Sequence, residues 1–296
     1  MEQRSVADFY FDTNSTMKDQ HQAEGFIPHL TPARAPAPPK RTEAGKHYIY
    51  DEPRISATKL AEYVVASPAR QKRIAQDCKV APKVLVAPYR EARDVFSMSL
   101  TLGGINAGHL LREATNIEER VPASPWQRVE NPRSALALKR IAGIAELVEC
   151  QGGHVIHPPS GNWGGIKIAG VYVSVNPELV FSIVHRGLRK VGGVILNTGQ
   201  DAKFSLDRSH DDHSVGDYLT TLLYRMLEQR FPAGGTPPLH TRCYAMDVAR
   251  GKIHQAPQAH KRLLKNLEAA CEVIAMRWPS IDVNAVLAAS GFEDDV

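Results

Sequence analysis

The sequence has few cysteines and no long apolar run. None of the cysteines belongs to a C-x-x-C pair, which argues against a zinc knuckle or a dithiol redox motif. They are far apart and we expect them to be reduced and mostly buried: Cys78, Cys150, Cys243 and Cys271. No window approaches the ~18 apolar residues of a membrane-spanning helix. The first residues lack the basic and apolar segments of a secretory signal, so the sequence predicts a cytoplasmic protein without a membrane partner.

Signatures of several enzyme classes are missing as well. The glycine-rich segment around Trp163 matches neither G-x-x-x-x-G-K-[ST] nor G-x-G-x-x-G, the loops that bind nucleotide phosphates. No G-x-S-x-G nucleophile elbow occurs to support a hydrolase. The net charge of +4 and the pI near 8.8 permit an anionic partner, but they fall short of the balance expected of a dedicated nucleic-acid binder.

The composition is that of a folded protein with a polar arm. With 43% hydrophobic and 23% charged residues, the 296-residue chain can build one large or two small domains. Residues 1–45 are polar and contain the run TPARAPAPPKR, which predicts a disordered proline-rich arm. The aromatic residues 9–11 in that arm offer a docking segment for a protein partner, and a tail without a specific role is the alternative.

The segment from residue 46 to residue 130 is predicted to be a mostly helical region. A short strand at 47–51 precedes a helix that Ser56 can cap. Ser67 followed by Pro68 marks the start of a second helix, which is basic. Its cationic side chains include Arg70, Lys72 and Arg73.

Residues 131–296 are predicted to form an α/β domain. A helix at 134–150 is followed by three strand-like runs at 166–177, 178–185 and 190–197, which predict an antiparallel meander with a bend at Arg186-Gly187. Ser214 and Asp217 resemble a capping box before a helix, and a hairpin turns at Arg250-Gly251 before a last long helix at 257–277. The fold class predicted for the chain is α/β (α+β): a helical N-terminal region, then a mixed central sheet flanked by helices.

This order of elements, with an acidic residue after a proline on a strand, resembles the PD-(D/E)XK nuclease-like superfamily. The resemblance covers roughly residues 134–280, about half of the chain, and implies a restriction-endonuclease-like fold. In that family a helix carrying a glutamate precedes a strand with Pro-Asp or Pro-Glu. The next strand presents an acidic residue and, two positions on, a lysine. The carboxylates hold Mg²⁺, and the lysine orients water or stabilises charge on the phosphate.

The resemblance implies which residues would form the site. Glu146 or Glu149 matches the helix glutamate, and Pro177-Glu178 matches the strand motif. The third strand departs from the pattern, because Val191–Asn197 contains no acidic residue and no lysine and Asn197 is its only polar side chain. The resemblance thus implies catalytic positions at Glu146, Glu178 and Asn197, a possible Mg²⁺ held by Glu178 and Asp247, and a degenerate motif. The alternative is that Glu178 is only a solvent-facing residue at a strand end.

Other polar clusters give weaker signals. The run Ser209–His213 mixes imidazoles and carboxylates that could ligate Zn²⁺ or Mn²⁺, or it is a polar loop before a capped helix. His154 and His157 would point to opposite faces of a strand, which argues against shared ligation. Two basic groups could contact phosphates of DNA or RNA. They are the helix with Arg70, Lys72 and Arg73, and the cluster Arg186, Arg189 and Lys190.

Three functions are compatible with these features. The first is a nucleic-acid-associated, nuclease-like protein that is catalytically degenerate and acts in a defence or mobile-element complex. The second is a structural or interaction protein with no nucleic-acid role, and the third is an active Mg²⁺-dependent DNA nuclease using Glu146, Glu178 and Asp247. The third requires those carboxylates to meet in space.

Overall fold

Helices and strands alternate along the chain in a mixed α/β fold, which agrees with the predicted class. The computed structural model describes residues 32–83, 89–101, 106–148, 153–156, 163–197, 214–232 and 236–289. The described helices are α1 (Ala57–Val65), α2 (Pro68–Lys79), α3 (Arg90–Thr101), α4 (Ala107–Glu119), α5 (Pro125–Ile144), α6 (Val215–Arg230), α7 (His260–Arg277) and α8 (Val283–Ala289). The described strands are β1 (Arg41–Ala44), β2 (His47–Tyr50), β3 (Arg54–Ser56), β4 (Val80–Pro82), β5 (His154–Val155), β6 (Gly165–Ile168), β7 (Val171–Ser174), β8 (Leu179–His185), β9 (Leu188–Asn197), β10 (Pro238–Asp247) and β11 (Lys252–Gln255). No helix among these residues has the length and hydropathy that crossing a bilayer requires.

The largest sheet has five strands in the order β11-β10-β9-β8-β5. Strands β8 and β9 form an antiparallel hairpin, and Arg186-Gly187 makes its turn with φ values of 51° and 75°, which confirms the predicted bend. Strands β9 and β10 are parallel, so the chain must cross over between them, and α6 lies in that connection. The predicted hairpin between β10 and β11 is also confirmed, with Gly251 at a φ of 61°.

The predicted three-strand meander is wrong in its first strand. Residues 166–177 do not form one strand but the hairpin β6–β7, which turns at Ala169-Gly170 with φ values of 43° and 80°. This hairpin belongs to a second sheet, in the order β3-β7-β6, where β7 pairs in parallel with β3. The run is rich in β-branched residues throughout, so composition did not reveal the turn within it. A third sheet has the order β1-β2-β4.

Helix α5 begins nine residues earlier than predicted. Ser124 caps it by accepting a hydrogen bond from the Gln127 N–H at 3.2 Å, Pro125 takes the first helical position, and the helix continues through Pro132. Helix α6 begins as predicted, with both hydrogen bonds of the Ser214–Asp217 capping box present. Ser67 and Pro68 likewise begin α2 as predicted.

The two faces of the five-stranded sheet are covered by different helices. Alternate residues of a strand point to opposite faces. Val194 and Leu196 of β9 pack in one core cluster with Leu138 and Ile141 of α5. Gly193 directly precedes Val194, so a side chain at its position would point to the opposite face. There it would meet Leu223 of α6 at 3.3 Å.

Contacts between early and late parts of the chain cross the predicted domain boundaries. Residue 45 lies in the turn of the β1–β2 hairpin, and residue 130 lies within α5. Helix α1 packs on α6 and α7, and β3 pairs with β7. The described residues from Pro32 onward accordingly belong to one compact unit. The first 31 residues of the predicted arm, including its aromatic segment, lie outside the described residues.

Trp278, directly after α7, joins the end of this unit to its beginning. Its side chain is buried, and its indole N–H donates to the Tyr50 carbonyl at 3.1 Å. The ammonium group of Lys79 in α2 donates to the carbonyl oxygen of Trp278 at 2.7 Å and to that of Ile281 at 3.2 Å. Hydrogen bonds to β2 and from α2 therefore converge on the segment that directly follows α7.

We predict that Trp278→Ala lowers the free energy of unfolding by ~3–5 kcal/mol, because it removes a buried aromatic ring and leaves a cavity. Urea unfolding followed by circular dichroism measures the change. Met276→Ala is the matched control, since Met276 is 73% exposed and lies two residues before Trp278, at the end of α7. We expect the control to stay within ~0.5 kcal/mol of the wild type. Equal losses in the two variants would contradict the role given to Trp278.

Candidate functional site

Three of the predicted site residues lie at the same end of the five-stranded sheet. Glu178 directly precedes β8, and Asn197 and Asp247 are the last residues of β9 and β10. Because β8 runs antiparallel to β9 and β10 runs parallel to it, these positions share one edge. Asn197 and Asp247 are direct register partners. The structure therefore brings these three positions to one edge of the sheet.

The Glu178 carboxylate is buried and held on both oxygens. Its side chain is 4% exposed, and its Oε1 accepts a hydrogen bond from the Arg93 guanidinium at 2.5 Å. Its Oε2 accepts from the Leu196 N–H at 2.7 Å, and its own N–H donates to the Val194 carbonyl at 2.9 Å. Burial raises the pKa of Glu178, and the charge of Arg93 and the hydrogen bonds oppose that rise. The expectation of a solvent-facing Glu178 is therefore wrong.

A second buried glutamate, Glu130 on α5, holds the helix that carries Arg93. The Glu130 carboxylate accepts a hydrogen bond from the Tyr89 N–H and another from the Ser134 hydroxyl at 3.3 Å. The Tyr89 carbonyl in turn accepts from the Arg93 N–H at 2.9 Å in the first turn of α3. Tyr89 has a φ of 59°, a left-handed conformation that is uncommon outside glycine. Glu130 therefore anchors the start of α3, from which Arg93 reaches Glu178.

Sequence reasoning missed Glu130 for an identifiable reason. It began the helix at residue 134 and so considered only later glutamates. The pair Ser124-Pro125 is a helix-start signal that would have placed Glu130 on α5. Glu146 falls instead in the short 3₁₀ turn Ala145–Leu147 that follows α5, and its side chain is outside the described part of the structure. Glu149 lies outside the described residues altogether.

Asp247 is bound in a similar way by Arg250. Its Oδ1 accepts from the Arg250 N–H at 3.0 Å, and its Oδ2 accepts from the Arg250 guanidinium at 2.6 Å. The Asp247 side chain is 5% exposed. Both oxygens of this carboxylate therefore point to donors within its own turn.

The donors around these carboxylates do not fit a bound Mg²⁺ ion. Mg²⁺ needs several free oxygen ligands in octahedral geometry, yet Glu178 and Asp247 each have both oxygens engaged. The β9 residues beside Glu178 are Val194, Ile195 and Leu196, which are buried and apolar. Within the described ranges, no three His, Cys, Asp or Glu side chains are grouped so that they could hold a metal ion. The arrangement presents arginines where the resemblance implied a metal.

The predicted basic groups lie on two separate elements. On α2, Lys72 and Arg73 are exposed, and Arg70 lies 3.8 Å from Glu62. In the β8–β9 hairpin, Arg186 is exposed at the turn, and Arg189 and Lys190 are half-buried. Exposed apolar residues flank the same turn, with Val184 at 71% and Leu188 at 62% exposure. The hairpin tip therefore combines positive charge with apolar surface.

The remaining predicted clusters are only partly described. The run Ser209–His213 and His157 lie outside the described residues. His154 is exposed in the short strand β5. The roles considered for these residues therefore stay predictions from the sequence.

Comparisons with known proteins add no relative to this picture. No family model matches the chain, and no curated protein matches it either. Inferences about function therefore rest on the geometry of the described residues.

We predict that Glu178→Gln changes how stability depends on pH. A carboxyl whose pKa is raised by folding binds its proton more tightly in the folded state, so its contribution to stability falls as pH rises through that pKa. The wild type should therefore lose stability relative to Glu178→Gln as pH rises above about 4.5, the ordinary pKa of glutamate, and through the raised pKa of Glu178. Urea unfolding at several pH values measures this difference.

Glu118→Gln is the matched control, because Glu118 is an exposed carboxylate paired with Lys139. Glu118→Gln removes one negative charge, as Glu178→Gln does, but it removes that charge from an exposed position. A difference between wild type and Glu178→Gln that is constant over this pH range, or equal to that of the control, would contradict the coupling to Glu178.

Proposed function

We propose that this chain is a nuclease-like α/β protein of the PD-(D/E)XK type, catalytically degenerate, that binds nucleic acid in a defence or mobile-element complex. Support comes from the order of the elements. A helix with a buried glutamate, Glu130 on α5, precedes β8, which starts after Pro177-Glu178, and β9 runs beside it. This order agrees with the resemblance seen in the sequence, with Glu130 in place of Glu146. The restriction-endonuclease-like fold is part of the proposal.

The observation that carries the proposal is the environment of Glu178. The carboxylate stands at the position where the family holds Mg²⁺, but it accepts hydrogen bonds from Arg93 and the Leu196 N–H. The neighbouring β9 side chains are apolar, so no second carboxylate comes from that strand. Cleavage of a phosphodiester by this mechanism needs metal ligands that are free. The geometry therefore favours binding over cleavage.

The β8–β9 hairpin is the surface that best fits contact with nucleic acid. Arg186 and Lys190 lie near the tip, and no acidic residue occurs between residues 179 and 197. Cationic side chains of this kind bind backbone phosphates without reading sequence. The exposed pair on α2, Lys72 and Arg73, is a second candidate surface.

A structural or interaction protein is the second candidate function. Its support is the concentration of exposed large apolar side chains in the segment from α3 to residue 147. Single exposed apolar residues are ordinary, but groups of them often mark protein interfaces. In the described part of that segment they are Met98, Leu111, Val121, Trp126, Val129, Leu136 and Leu147.

Two measurements test the proposal. Incubation of plasmid and single-stranded DNA with Mg²⁺ or Mn²⁺ should give no cleavage by the wild type. Fluorescence anisotropy should show binding of DNA or RNA at low salt, because phosphate contacts are strongest under that condition. Arg186→Gln with Lys190→Gln should weaken binding about tenfold and lower the salt slope by about 2, as expected for two lost phosphate contacts. Lys72→Gln with Arg73→Gln tests α2 in the same way.

Arg112→Gln with Arg133→Gln is the charge-matched control on exposed positions of α4 and α5. Metal-dependent cleavage that is lost in Glu178→Ala would overturn the degenerate assignment and establish an active Mg²⁺-dependent nuclease. No affinity for DNA or RNA at low salt would overturn nucleic-acid binding and favour the interaction protein. An equal loss of affinity for nucleic acid in the control and in the hairpin variant would show that the hairpin is not the binding surface.

A further inference from the structure

The tip of the β8–β9 hairpin extends beyond the neighbouring strands of the sheet. Among the described strand residues, those from 183 to 190 pair only with one another. Pairing with a third strand begins at Ser182 on the β5 side and at Val191 on the β10 side. His185, the last residue of β8, lies three positions after Ser182, so the paired ribbon extends ~10 Å past the rest of the sheet.

Both faces of this ribbon carry an exposed apolar side chain. Val184 pairs with Arg189 and His185 pairs with Leu188, so Val184 and Leu188 lie on opposite faces. The two side chains are 71% and 62% exposed. A hairpin that lay flat on a partner would bury one face and leave the other in water. Apolar side chains on both faces therefore fit a partner that encloses the ribbon on two sides.

The turn of the hairpin holds an arginine where the backbone favours other residues. Arg186 and Gly187 have φ values of 51° and 75°, the pattern of a two-residue type I′ turn. Asn-Gly is the preferred pair in such a turn, because most side chains are strained at a positive φ and asparagine tolerates it better. Arg186 is exposed, so burial does not offset this strain. Strained positions of this kind cluster at functional sites.

The dimensions and charge of the ribbon are complementary to one groove of a nucleic-acid duplex. The major groove of B-form DNA is ~12 Å wide and ~8.5 Å deep, and it admits a two-stranded β-ribbon. Its depth is close to the length by which the hairpin extends from the sheet. Phosphates line both walls of the groove, and the ribbon offers them Arg186 and Lys190 with no acidic residue from 179 to 197. The major groove of duplex RNA is too narrow for such a ribbon.

We propose that the β8–β9 hairpin inserts its tip into the major groove of duplex DNA. This inference rests on the proposed function and names the class of nucleic acid that the hairpin binds. Arg186 and Lys190 contact the phosphates along the groove, and Val184 and Leu188 contact the 5-methyl groups of thymine. The tip lies at the opposite end of β8 from Glu178, ~20 Å away along the strand. DNA held at the tip is therefore kept apart from the buried carboxylate.

The first test compares two duplexes of equal length and charge. Fluorescence anisotropy at low salt measures the affinity of the full chain for a short DNA duplex and for the RNA duplex of corresponding sequence. Backbone charge alone predicts equal affinities, whereas insertion into the major groove predicts about tenfold tighter binding of DNA. Equal affinities, or tighter binding of RNA, would overturn the groove assignment and leave the proposed function standing. A wild type that binds no nucleic acid would overturn both.

Replacement of thymine by uracil tests contact with the groove itself, because it removes a methyl group that only the major groove displays. Between alternating A·T and A·U DNA duplexes, the wild type should bind the A·U duplex about fourfold more weakly for each methyl group contacted. Val184→Ser with Leu188→Ser should bind the two duplexes equally. Met276→Ser, at an exposed position at the end of α7, is the matched control and should keep the difference. A difference that is absent in the wild type, or that survives in the double variant, would contradict the proposal.

Arg186→Asn separates the strain of the turn from the role of the charge. Asparagine tolerates a positive φ better than arginine, so the variant should keep or raise the Tm of the protein. Loss of one cation should nevertheless weaken binding of duplex DNA and lower the salt slope by about 1. Arg112→Asn, on the exposed face of α4, is the charge-matched control and should keep the wild-type slope. An affinity and a slope equal to those of the wild type in Arg186→Asn would show that the tip does not contact DNA.

Discussion

The burial of one carboxylate, that of Glu178, sets the conditions for the surrounding structure. A charge removed from water is costly unless hydrogen bonds and an opposite charge compensate it. Here the compensation comes from Arg93 and from the backbone of β9. Arg93 can act only if α3 begins at the right place, and Glu130 secures that start through the backbone of Tyr89. Two buried glutamates on different elements thus hold the helical layer and the sheet in one arrangement.

The same pairing recurs at Asp247 and Arg250, so the sheet edge repeats one electrostatic design. Acidic groups are inside and basic groups are outside. Each buried carboxylate is paired with an arginine whose side chain is about a third exposed, so the positive charge of each pair lies nearer to solvent than the negative charge.

Local signals in the sequence predicted much of the fold, and non-local pairing escaped them. Capping residues such as Ser56 and Ser214 and the turns at Arg186-Gly187 and Arg250-Gly251 depend on adjacent residues, so their elements were located well. The assignment of β6 and β7 to a second sheet depends on β3, far away in the sequence, and no local pattern encodes it. For the site, Glu178 was found through the proline before it. Arg93 was not, because a cation on an amphipathic helix looks like any surface residue until its partner is placed.

The bond between Trp278 and Tyr50 has a consequence for how the chain folds as it is synthesised. The two residues are 228 positions apart, and Lys79 reaches Trp278 across 199. At a synthesis rate of ~5–20 residues per second, the early strands wait roughly 10 to 45 s for the residue that covers them. During that interval the apolar faces of β2 and α1 have no late helix against them. A newly made chain of this protein therefore exposes these apolar faces until the C-terminal helices emerge.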